Sequence, residues 1–239
     1  MESIGLMESL LNDSNPDNKI EMKIFFYFAG LLLLLSCKTP AQKDTSSLLP
    51  LDKLKAGNVR FAENHPTHPD ESSERKQELT TGQHPFAVIV CCSDSRVSPE
   101  LLFDQGLGDL FIIRTAGNVI GDYELGSIEY AVEHLHSKLV VVMGHSSCGA
   151  VGAYLESHGE KHEDHIQSIV DYIGAESEIK SMDSHSKADP VAATKANVQH
   201  GVHLLENSTP VLKSLVDKGE LTISGAYYDL NTGKVSFQF

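Results

Sequence analysis

Two short clusters in the 239-residue chain hold residues able to bind a metal ion: Cys92-Ser93-Asp94-Ser95-Arg96 and His145-Ser146-Ser147-Cys148. Two thiolates and an imidazole make a soft-to-borderline donor set that suits tetrahedral zinc. A carboxylate or a water can take the fourth position, and a site that exchanges one for the other is catalytic rather than structural. Asp94 is the carboxylate at hand, and Arg96 can hold it ionised, because a neighbouring cation favours the charged form. Alone, each cluster is a weak signal. An Asp-Ser-Arg is commonly a turn with a surface ion pair, and His-x-x-Cys recurs by chance. Together, each after a buried strand, they are hard to read as coincidence. A phosphatase-type loop over Cys91 to Arg96 does not fit, since the gap is one residue short and no phosphate-cradling glycines intervene.

The clusters need elements that bring them to one point. Phe86 to Cys91 and Leu139 to Met143 are continuously apolar, as strands buried on both faces of a parallel sheet are; Leu110 to Arg114 is a further strand. Glu124 to His136 carries Leu125, Ile128, Ala131, Val132 and Leu135 at helical spacing. Leu51 to Asn64 reads as a helix, residues 64–84 as a polar connector with one helix over Glu74–Leu79. Helices are expected from about Gly149 and over 165–180 and 189–207, a late strand at Leu221–Ala226, and a last strand at Lys234–Phe239 after the turn Asn231-Thr232-Gly233. The fold class is therefore α/β, a mostly parallel central sheet flanked by helices with an N-terminal helical arm. In such a sheet the carboxyl ends of the strands share one edge, so the two clusters can meet there. Cys91 alternates to the opposite face from Cys92 and reads as a small buried hydrophobe. His158, His162 and His165 form a His-rich interruption that reads as a solvated loop rather than a second metal cluster.

The N-terminal region reads differently. Met22-Lys23, an apolar run from Ile24 to Leu35, then Ser36-Cys37 follow the order of a signal peptide. At twelve residues the run is short for a membrane span. Leu34-Leu35-Ser36-Cys37 resembles the lipobox of bacterial lipoproteins, which implies cleavage before Cys37, lipid attachment to its sulfur, and a membrane-anchored protein of the bacterial cell envelope or periplasm. Residues 1–21 are polar and acidic, unlike a signal n-region, and are expected to be a misassigned start, with translation beginning at Met22, or a disordered extension. Residues 38–49 read as a flexible tether and 50–239 as a single catalytic domain. Losing residues 1–37 removes five acids and two bases, so the net charge of −14 becomes −11. That acidity, without any Lys/Arg-rich run, argues against nucleic acid as a partner.

The stretch from Gln83 to Ala150 resembles the β-class carbonic anhydrases. Cys92-Ser93-Asp94-Ser95-Arg96 is similar to that family's Cys-x-Asp-x-Arg motif and His145-x-x-Cys148 to its second motif; Gly106 to Phe111, Ala116-Gly117-Asn118, Asn197 and Tyr228-Asp229-Leu230 extend the likeness, while Ser98 stands where many relatives carry proline. The resemblance implies one zinc ion per subunit held by Cys92, His145 and Cys148, with Asp94 as an alternative fourth ligand and an Asp94–Arg96 pair beside the metal. It implies substrate-lining roles for Gln83, Phe111 and Tyr130, partly supplied by a partner subunit. Without the resemblance, Gln83 could cap a turn, and Phe111 and Tyr130 would default to core packing. It further implies a homodimer or a tetramer built from dimers, and reversible hydration of carbon dioxide to bicarbonate and a proton by zinc-bound hydroxide. The chain has no Trp, so the tryptophan-containing bicarbonate site of the other subgroup cannot be complete, which favours a plant-type active site. A related hydrolase of carbonyl sulfide or carbon disulfide, and a zinc-binding envelope lipoprotein without turnover, are the alternatives.

Overall fold

The computed structural model describes residues 49–157, 161 and 164–237. Cys37, His158 and His162 lie outside them, as do the signal, tether and start-site readings. Among the described residues no helix is long and apolar enough to cross a membrane.

Five strands form one sheet: β1 (Ala87–Cys92), β2 (Leu110–Thr115), β3 (Leu139–His145), β4 (Thr222–Tyr228) and β5 (Val235–Ser236), in the order β2-β1-β3-β4-β5. The first four are parallel and β5 is antiparallel. Every residue of β1 and β3 is buried, as their unbroken apolar runs require. Alternate residues feed two cores. Val88, Val90, Val140 and Val142 pack with α4 (Asp122–Glu133) and α9 (Pro190–Glu206). Ala87, Ile89, Cys91, Val141 and Met143 face Leu54 of α1 (Pro50–Ala62) and Leu102 of α3 (Pro99–Leu102). Cys91 thus lies in the core opposite Cys92, and burial pushes its thiol up to about 12. Each large apolar side chain so buried contributes about 1.5–3 kcal/mol.

The strand order places a switch between β1 and β3: the chain leaves β1 for β2 on one side and returns to β3 on the other. Ligand sites of open α/β sheets form at the carboxyl ends of the strands at such a switch. Both strands run further than their apolar stretches. Cys92 pairs with Thr115, and His145 with Tyr228, so each is the last residue of a strand rather than the first of a loop.

The helix expected over 165–180 is two helices, α6 (Ile166–Ala175) and α7 (Ser177–Ser181). At Glu176 the backbone turns to ψ 134°, which brings Ile179 into the same cluster as Ile173 and Cys148. Glu178 then clamps α7 to α9, accepting from Nδ1 of His200 and of His203 at 2.7 Å each. The expected helix over 74–79 is α2 (Ser73–Glu78) followed by a 3-10 turn. Three further helices lie among the described residues: α5 (Gly149–Ser157), α8 (Ser184–Lys187) and α10 (Leu212–Asp217). Of the last strand expected over Lys234–Phe239, Val235–Ser236 is strand among the described residues, and Gln238 and Phe239 lie outside them.

Glu176 is 1% exposed, and neither carboxylate oxygen has a hydrogen-bond partner among the described residues. Burial, reinforced by the Glu178 charge, pushes its carboxyl up to about 8. The unfolded chain releases this proton above its ordinary value of 4.5, whereas the folded chain keeps it to about 8. Stability therefore falls as pH climbs between those values and levels off above them. Glu176→Gln, neutral throughout, is expected to be more stable than the parent by on the order of 3–5 kcal/mol at pH 9 and about equal at pH 4 to 5. Urea unfolding at the two pH values checks this; a gap that does not change with pH would contradict it.

Candidate metal centre

Cys92 ends β1, His145 ends β3, and Cys148 stands one residue before α5. All three are buried, and their ligand atoms lie within 4.8 Å of one another. Tetrahedral zinc with bonds of about 2.3 Å to sulfur and 2.0–2.1 Å to nitrogen needs ligand atoms somewhat under 4 Å apart, so the cluster is close to the required size. The imidazole is oriented for the purpose. His145 Nδ1 lies 2.9 Å from the Ser146 carbonyl. A proton on Nδ1 donated to that carbonyl leaves the lone pair on Nε2. Nε2 is buried without a hydrogen-bond partner, a costly state for a polar atom unless a ligand completes it.

The sulfurs of Cys92 and Cys148 are hydrogen-bond partners. The Cys148 hydrogen bond, with a further donor in the Gly117 N–H, holds the Cys92 thiol well below its ordinary range. The same bond and burial push Cys148 up. Cys148 also meets the backbone N–H groups of Ala150 and Val151 at the start of α5, which favour a thiolate once a cation is present.

Asp94 faces Arg96 rather than joining the three-ligand cluster. Its Oδ1 accepts from Arg96 Nε at 2.9 Å and from the Arg96 backbone at 2.9 Å, and its Oδ2 accepts from Nη2 at 2.7 Å. This fork holds the Asp94 carboxyl far below the usual carboxylate range. Oδ2 is nevertheless only 4.0 Å from His145 Nε2, so the carboxylate stands beside the metal position. Arg96 also donates to the Ser147 carbonyl at 3.2 Å, tying the two clusters together.

Gln83, Phe111 and Tyr130 lie elsewhere. Gln83 is exposed and precedes β1. Phe111 pairs with Val88, four residues below the Cys92–Thr115 rung, which is roughly 13 Å along the strand. Tyr130, 48% exposed on α4, has its ring 6.4 Å from that of Phe111. Within one chain these three stand toward the sheet edge opposite the metal ligands.

The sequence profile described as carbonic anhydrase matches residues 87–235. The chain belongs to the carbonic anhydrase family. It is 42% identical over 187 residues to the carbonic anhydrase of Mycolicibacterium smegmatis, covering 77% of this chain and 90% of that protein. With carbonic anhydrase 2 of Mycobacterium tuberculosis it shares 38% over 193 residues, 80% of this chain and 92% of the other. Its fold is similar to that of the Coccomyxa β-carbonic anhydrase solved in complex with acetazolamide, at 26% identity and a TM-score of 0.60 over 82% of this chain and 86% of that one. β-Carbonic anhydrases use zinc, and the Cys92, His145 and Cys148 donor set fits it.

Three supports of this carbonic anhydrase site carry no motif of their own. Arg114 Nε donates to the Cys92 carbonyl at 3.2 Å and its Nη2 to the Asp94 carbonyl at 2.7 Å. Ser146 ties the loop after β3 to the end of β4, donating its N–H to the Tyr228 carbonyl and accepting from Leu230 N–H through its hydroxyl, both at 2.9 Å. The Gly117 N–H donates to Cys92 Sγ at 3.3 Å. The stretch Ala116-Gly117-Asn118 resembles family sequence, and the task of its glycine is a backbone one.

Proposed function

We propose that the chain is a β-class, zinc-dependent carbonic anhydrase catalysing reversible hydration of carbon dioxide to bicarbonate and a proton. The observation that carries this reading is the orphaned Nε2 of buried His145 converging with two thiols beside an ionised, arginine-locked carboxylate. Zinc, when bound, supplies a Lewis acid that lowers the pKa of water. Asp94 accepts a hydrogen bond from the attacking water or hydroxide and turns its lone pair toward carbon dioxide. Arg96 keeps Asp94 charged and turned away from the metal; release of that grip would let Asp94 fill the fourth position instead. A site serving structure or storage alone would have no use for this pair.

Gln83, Phe111 and Tyr130 are too far from their own metal ligands to line that site, so the reading assigns them to the cleft of a second copy in a homodimer, alone or within a tetramer of dimers. Phe111 and Tyr130 offer a dry wall to an apolar gas, and Gln83 a donor to its oxygen. Cys37, by its lipobox-like setting, is assigned the lipid anchor that would hold the enzyme in the bacterial envelope. An intact mass of membrane-extracted protein that begins at acylated Cys37 tests this.

The function is tested by stopped-flow hydration of carbon dioxide at one zinc per chain, with carbonyl sulfide hydrolysis measured beside it. Hydration should dominate and rise toward alkaline pH, because two thiolates leave the zinc a weak Lewis acid. A fully zinc-loaded protein that does not hydrate carbon dioxide would refute the assignment, and a flat rate between roughly pH 6 and 9 would refute the acid–base account.

A further inference from the structure

Helix α9 carries Asn197 into the layer behind the metal ligands. The side chain is 2% exposed, and its Nδ2 donates to the Gly117 carbonyl at 2.9 Å. Gly117 is held on both of its peptide groups: its carbonyl accepts from Asn197, and its N–H donates to Cys92 Sγ at 3.3 Å. It sits at φ 69°, a region that L side chains rarely adopt, and a Cβ there would come within 2.9 Å of Ala150 Cβ. A glycine in this conformation has no side chain to fix it. Nor does its neighbour help, since both polar side-chain atoms of Asn118 are buried without a partner. Asn197 comes instead from a well-fixed helix. A Cβ on Gly144, beside His145, would lie 2.7 Å from side-chain atoms of both Thr194 and Val198, so α9 packs directly on the end of β3.

We propose that Asn197 is a positioning residue for the metal centre: by holding Gly117 it keeps the Gly117 N–H aimed at the Cys92 sulfur and so sets the electron density that Cys92 offers the metal. A hydrogen bond to a metal-bound thiolate withdraws charge from it, and partners one step removed from the ligands tune both affinity and reactivity. The inference rests on Cys92 being a zinc ligand, as the proposed function has it.

The test uses full-length protein loaded with cobalt(II) or cadmium-113 in place of zinc. Wild type should show intense thiolate-to-cobalt charge-transfer bands and scalar coupling between the Gly117 amide and bound cadmium. Asn197→Ala should shift the cobalt bands, weaken the coupling and lower zinc affinity about 10- to 100-fold. Asn197→Leu, nearly the same shape but without the donor, should do the same. Leu205→Ala, buried on the same helix but two turns beyond Asn197, should lose stability while leaving bands and affinity in place. Unchanged bands and affinity in both Asn197 variants would overturn the inference, as would equal spectral shifts in Leu205→Ala. Absence of the Gly117–cadmium coupling in wild type would overturn it without any variant. A wild type lacking thiolate-to-cobalt bands would instead sink the ligand assignment itself.

Discussion

Cys148→Ser should leave a folded protein that holds little zinc and hydrates carbon dioxide at least about 1,000-fold more slowly, the equivalent of several kcal/mol of lost transition-state stabilisation. The change trades a soft thiolate for a hydroxyl that stays protonated at neutral pH, so one of three protein donors disappears. Little else depends on this sulfur. Its neighbours Val151, Ile173 and Ile179 keep one another buried, and the start of α5 retains its backbone contacts. Zinc content after dialysis and stopped-flow hydration of the same sample check the prediction. One zinc per chain with a near-parental rate would show that Cys148 is not a ligand.

Asp94→Asn makes the opposite separation: zinc should stay at one per chain while kcat/KM falls by at least about 100-fold. The amide keeps the size of the side chain but loses its charge. One of its two polar atoms becomes a donor, so the fork of Arg96 Nε and Nη2, which now meets an oxygen at 2.9 and 2.7 Å, finds only one acceptor. The geometry that keeps Asp94 off the metal then loosens, and the acceptor for the nucleophile's proton weakens. Arg114 still grips the Asp94 carbonyl at 2.7 Å, so the loop itself should hold its place. The measurement is the hydration rate across pH with metal content verified. An unchanged rate would remove Asp94 from the chemistry.

Much of this architecture is legible in the sequence, for reasons that also explain what is not. The runs Phe86–Cys91 and Leu139–Met143 announce strands because burial on both faces leaves no room for polar residues. The ladder then continues through Cys92 and through Gly144-His145, whose types are chosen for chemistry, so the strand ends are hidden. The helical spacing from Leu125 to Leu135 predicts α4 to within a few residues. The break at Glu176 escapes periodicity because it is set by where Ile179 must land, a tertiary demand. The ligand set and the Asp94–Arg96 pair are visible because side chains do that work. Arg114, Gly117 and Ser146 act on or through backbone carbonyl and N–H groups, which leave no trace in residue type. Placing Gln83, Phe111 and Tyr130 far from their own metal site needs the register of β1 on β2, which spacing alone does not supply.

Cys92 closes the β1–β2 ladder and His145 the β3–β4 ladder, so each of these two donors is held by its own strand pairing. Neither can drift without unzipping a ladder. Adaptability is left to Cys148, on a free helix start, and to Asp94, on a turn. Such a frame is half rigid and half yielding, and its two sulfurs and one imidazole select against hard, oxygen-seeking ions such as calcium.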